Sequence, residues 1–134
     1  MTKLTEIETI GPVCAGKLEG AGVKNVEQLL ETGASRSGRA KLAQACGMGE
    51  SRILRWVNMA DLMRINGVGE EYSDLLEAAG VDTVKELRTR NAENLFAKIK
   101  EVNDAKNLVR QTPTQSSVTS WIDQAKNLED KISH

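Results

Sequence analysis

The segment Ile65-Asn66-Gly67-Val68-Gly69, followed by Leu75-Leu76-Glu77-Ala78-Ala79-Gly80-Val81-Asp82-Thr83-Val84, decides the fold because the chain carries it twice. Shifted by 58 positions, Ile65 meets Ile7, Val68-Gly69 meets Ile10-Gly11, and Leu76-Glu77-Ala78-Ala79-Gly80-Val81 meets Leu18-Glu19-Gly20-Ala21-Gly22-Val23. Ten of 28 positions are identical between residues 7–34 and 65–92, too many for chance in an ungapped overlay. Farther along, after an eight-residue insertion, Ser51, Ile53, Trp56, Val57 and Ala60 meet Ser116, Val118, Trp121, Ile122 and Ala125. A repeat of about 60 residues is a supersecondary unit used twice, so the expected organisation is a first repeat over 1–64 and a second over 65–134.

Within each repeat the punctuation is helical. Pro12 suits a first helical turn, and Gly22 a left-handed stop. Asn25 with Gln28, and Thr83 with Glu86, read as capping pairs at matched positions. Ser35 and Asn91 start the next helices, while Gly33 and Gly47 end theirs. From Glu50 to Arg64 the apolar residues Ile53, Trp56, Val57, Ala60 and Met63 recur at helical spacing. Trp56 and Trp121 are expected as equivalent core plugs. No window alternates with β-branched enrichment. The clearest loop is Arg110–Ser117, with Pro113 in it. The predicted fold is all-α, two tandem repeats packed as one body.

Four tight turns are expected between helices: Thr9-Ile10-Gly11, Gly47-Met48-Gly49, Gly67-Val68-Gly69, and a glycine-free turn near Val102-Asn103-Asp104. The pattern apolar-x-Gly-apolar-Gly is that of the helix-hairpin-helix motif. Its glycines allow a tight turn, its central Ile10, Met48 or Val68 plugs the core, and the next helix presents free N–H groups and a positive dipole end to an anion. The same glycines equally serve as plain helix connections.

The stretch Ala79-Gly80-Val81-Asp82-Thr83-Val84-Lys85-Glu86-Leu87 resembles helix-hairpin-helix domains at recombinase N-termini. From about Ile7 to Leu128 the chain resembles the bacterial and organellar family called domain of unknown function 4332, on the two segments quoted first and on Trp121-Ile122-Asp123-Gln124-Ala125-Lys126. The resemblance implies tandem helix-hairpin-helix folding and no established activity. DNA-binding hairpins often carry Lys or Arg two residues after the last glycine, whereas this chain has Val13 and Glu71 there. Only the second hairpin has a nearby arginine, Arg52, one turn into its helix.

Charge is segregated. Residues 36–55 hold five basic residues against Glu50, a net +4; residues 88–110 carry a net +3; residues 61–86 carry a net −5. Basic segments of this kind serve phosphate contacts or form ordinary solvated faces. Overall the chain is at −1, with 40% hydrophobic residues and four aromatics, which fits a globular protein with an aliphatic core and gives no global pull on nucleic acid. No stretch approaches a membrane span, no secretory leader is read at the N-terminus, and Cys14 and Cys46 read as buried thiols rather than a disulfide or a reactive pair; a cytoplasmic location is expected. The only histidine is the terminal His134, too poorly held to act as a general base. No catalytic residue, metal or cofactor is expected. The expected function is non-enzymatic, sequence-independent binding of a DNA or RNA backbone, the alternative a protein–protein interaction or scaffold module. The candidate contacts are Gly47, Met48, Gly49, Arg52 and Arg55 in the second hairpin, Gly11 and Lys17 in the first repeat, and Gly67 and Gly69 in the third hairpin.

Overall fold

The computed structural model describes residues 2–7 and 9–133. Their regular structure is helical, and the extended pairing among them is an isolated bridge between Lys3 and Asn25. The all-α class is therefore observed. After a 3-10 turn at Leu4–Glu6 come α1 (Pro12–Gly20), α2 (Val26–Gly33), α3 (Arg36–Cys46), α4 (Glu50–Leu62), α5 (Glu70–Ala78), α6 (Val84–Leu87), α7 (Ala92–Lys106) and α8 (Gln115–Lys126).

The caps explain the boundaries. The Asn25 side chain accepts the Gln28 N–H at 2.8 Å, Ser35 accepts from Gly38 at 3.0 Å, Thr83 from Glu86 at 3.3 Å, and Asn91 from Asn94 at 3.1 Å. Each satisfies one of the N–H groups that a helix start leaves without an internal acceptor. Gly22 and Gly80, equivalent in the repeat, have φ of 92° and 96°.

By contacts the chain divides into two compact units, the first running to Asp61 and including the segment from Lys131, the second spanning Leu62–Asp130. In the first, α1 and α2 pack on α3; Ile7, Ile10, Leu18, Leu29, Ile53 and Trp56 are fully buried there. In the second, α5 and α8 pack on α7 and α6 packs on α8, around Leu75, Leu76, Leu87, Leu95, Ile99 and Trp121.

Trp56 and Trp121 are 1% and 3% exposed. The Trp56 Nε1–H donates to Thr9 Oγ1 at 2.9 Å. At the equivalent place in the second unit the Trp121 indole nitrogen lies against Gly67, where an added Cβ would sit 3.1 Å from it. Gly67 has φ of 96°, so a side chain there would be strained as well as crowded.

Several expectations are corrected. Thr9-Ile10-Gly11 follows the short 3-10 turn, not an α-helix, so it is not a connection between two α-helices. The turn expected at Val102-Asn103-Asp104 lies inside α7. Asn103 does not break the helix because its buried amide is used elsewhere: it accepts the Val109 N–H at 2.9 Å and donates to the Val109 carbonyl at 3.1 Å. The helix stops instead at Asn107, in left-handed geometry with φ of 52°. The 110–117 loop is shorter than expected, since Thr114 caps α8 and Gln115 opens it. Gly33 does end α2, but Ala34 continues in right-handed geometry; a Cβ at Gly33 would collide with the Val57 side chain, so the glycine is there for close helix packing.

Gly38 gives a prediction with an unusual sign. Alanine is ordinarily better than glycine in a helix by about 1 kcal/mol. A Cβ at Gly38 would run into the carbonyl oxygen of Thr32, which is main chain and cannot swing aside. Overpacking of this kind costs about 1–3 kcal/mol, so it outweighs the propensity gain. Gly38→Ala should lower the urea midpoint; a midpoint unchanged or raised would show that the α2–α3 corner relaxes freely.

Candidate anion site at the start of helix α4

The Gly47-Met48-Gly49 turn is built by the end of α3. Gly47 takes φ of 65°, which glycine adopts without the Cβ penalty. The Gly47 N–H reaches the Gln44 carbonyl at 3.4 Å and the Met48 N–H the Ala43 carbonyl at 3.0 Å. Gly47 and Gly49 are exposed and Met48 is half-buried, so Met48 plugs the turn less fully than Ile10 and Val68, which are buried. The first internal bond of α4 runs from the Ile53 N–H to the Gly49 carbonyl at 3.3 Å. The amides of Glu50, Ser51 and Arg52 precede it, at the positive end of a 13-residue helix.

Beside this helix start lies an open recess of about 250 Å³ lined by Arg36, Arg39, Glu50, Ser51 and Leu54. Arg36 is exposed at the start of α3. In the sequence it was one charge among five; the recess, lined from both α3 and α4, singles it out. The +4 reading of residues 36–55 needs correction at Arg39, which is 5% exposed. Its Nη1 donates to the carbonyls of Gly33 and Ala34 at 2.9 and 3.1 Å, and its Nη2 to the Ser133 carbonyl at 2.7 Å. Arg39 is thus no part of a solvated basic face.

Arg52 and Arg55 are exposed on α4. The Arg52 guanidinium carbon stands 5.7 Å from the Trp56 ring centroid, within cation–π range. Lys17 is exposed in the last turn of α1, far along the helix from Gly11, which caps its start. Burial pushes the Cys46 thiol up, while the Lys17 ammonium pulls it down and Cys14 adds a further upward push. Cys14 and Cys46 are both free thiols.

The third turn offers less to an anion. Gly69 caps α5, whose first turn begins with Glu70 and Glu71. The turn is pinned from α8: Gln124 Oε1 accepts the Asn66 N–H at 2.9 Å, and Gln124 Nε2 donates to the Asn66 carbonyl at 3.2 Å. A second recess, of about 450 Å³, opens at the start of α7 beside Arg90, Asn94 and Lys98. Arg90 is already held by Glu86 at 2.9 Å and by the Gly80 carbonyl at 2.8 Å.

Among the described residues, no three His, Cys, Asp or Glu side chains are grouped to hold a metal, and no helix is long and apolar enough to cross a membrane. His134 lies outside the described residues. No curated protein and no solved structure matches the chain. A family model described as Domain of unknown function (DUF4332) matches residues 8–128.

Proposed function

Starting from the chain's membership of the DUF4332 family, we propose that it is a non-enzymatic, cytoplasmic binding module of helix-hairpin-helix type that contacts the phosphate backbone of DNA or RNA without reading sequence. The observation that carries this reading is the coincidence of three features at one place: the Gly47-Met48-Gly49 turn with both glycines exposed, the N-terminus of α4, and a recess lined by Arg36. Backbone N–H groups at a helix start bind phosphate oxygens, and the helix dipole favours the charge. Ser51 adds a hydroxyl, and Arg36, Arg52, Arg55 and Lys17 add long-range attraction. Glu50 opposes it, but an acid in the first turn is itself held by the dipole. The free thiols of Cys14 and Cys46 support the cytoplasmic part of the reading.

The experiment is fluorescence anisotropy with labelled duplex and single-stranded DNA and RNA over a range of salt. Arg52→Ala with Arg55→Ala should weaken binding uniformly across sequences and flatten the salt slope by up to about two. If the double mutant binds as wild type does, phosphate capture at the second turn is wrong.

One observation favours the protein-interaction alternative. Val13, at the start of α1 where DNA-binding hairpins carry a cation, is a large hydrophobic side chain left 72% exposed. Absence of nucleic-acid binding even at low salt would move this reading to first place.

A further inference from the structure

Arg39 joins two features that have so far been separate, the recess beside α4 and the C-terminal segment. Its side chain lines the recess with Arg36, Glu50 and Ser51. One arm of its guanidinium is fixed, since Nη1 bridges the carbonyls of Gly33 and Ala34 at 2.9 and 3.1 Å. Nη2 is therefore held in a set direction, and its acceptor is the Ser133 carbonyl at 2.7 Å. Ser133 is seated on the same corner by its own N–H, which donates to the Ala34 carbonyl at 2.8 Å, and by its hydroxyl, 3.3 Å from the same oxygen. Residue 133 is read through both of its peptide groups, as an extended strand would be.

We infer that the 131–133 segment is a strap that holds a second cation of the anion recess in reserve, and that lifting it turns Arg39 Nη2 from the Ser133 carbonyl to a phosphate oxygen. The inference rests on the phosphate-binding reading and adds regulation of that same site. Three physical points support it. A phosphate oxygen in place of the carbonyl adds charge–charge attraction to a hydrogen bond whose donor, the guanidinium, is already ionised. The group need not be reoriented, since Gly33 and Ala34 already fix the guanidinium plane. The strap is anchored at Ser133 by main-chain bonds, while Lys131 is exposed and Ile132 half-buried, so the anchor is small enough to be displaced without unfolding α2 or α3.

The test variant is Ser133→Pro in the full chain. Proline has no N–H for the Ala34 carbonyl, and the substitution touches no core residue. The probe is inorganic phosphate, followed through the side-chain ¹⁵N signals of Arg39. In Ser133→Pro these signals should move with phosphate, and in wild type they should stay still. In parallel, the salt slope of DNA binding should steepen by about one in the variant, the mark of one more phosphate contact. Deleting residues 131–134 should give the same two results. An Arg39 signal unmoved in both variants overturns the inference, and so does equal movement in variant and wild type. Both outcomes stand apart from failure of the wider reading, which shows as wild-type binding indifferent to Arg52→Ala with Arg55→Ala.

Discussion

Trp56→Ala is expected to remove about 3–5 kcal/mol of unfolding free energy, the range for deleting a large buried aromatic. The loss has two parts of unequal size. The hydrogen bond from Nε1 to Thr9 Oγ1, at 2.9 Å, contributes about 0.5–1.5 kcal/mol net. The remainder is the cavity, because Trp56 is 1% exposed and is flanked on α4 by Ile53 and Val57, each fully buried. Such a void collapses poorly when its walls are helices fixed by caps. Arg52 would also lose the ring beneath its guanidinium, so the mutation should disturb the start of α4 as well as the core. Urea denaturation followed by far-ultraviolet circular dichroism gives the number. A midpoint within error of wild type would mean that the tryptophan is not the plug of the first unit.

The tryptophan pair was legible in the sequence because burial at helical spacing is a local pattern and the repeat doubled it. The same holds for the caps at Asn25, Ser35, Thr83 and Asn91, each of which accepts from the backbone N–H three residues along the chain. What escaped depends on side-chain bonds that follow no local pattern or on contacts between distant residues. Asn103 looked like a turn former, and nothing nearby signals that its amide would be used by Val109 within the core. Arg39 counted as a surface charge because its acceptors include a carbonyl 94 residues away. Arg36 was one of several cations until the recess singled it out. The capped helix starts are thus local chemistry, while the make-up of the site is decided by tertiary packing.

The opposite charge change, at the third turn, should have the clearest gain. Glu70→Lys with Glu71→Lys alters the local charge by four at the start of α5, whose cap Gly69 and buried Val68 already shape a turn. The acids now complement the helix dipole, an effect of about 0.3–1 kcal/mol each at a surface helix, so the variant should be modestly less stable and must be compared well below its melting temperature. Against that stands the creation of two new phosphate contacts beside amides at a helix start. Each contact steepens the dependence of the logarithm of affinity on the logarithm of salt by about 0.9 on duplex DNA. The double lysine variant should therefore bind duplex DNA more tightly at low salt, with a slope steeper by about two. Gln124 keeps the turn rigid through both peptide groups of Asn66, so no ordering of the loop has to accompany binding. If anisotropy shows wild-type affinity and slope, the missing element is not charge, and the third turn does not present its amides to a phosphate.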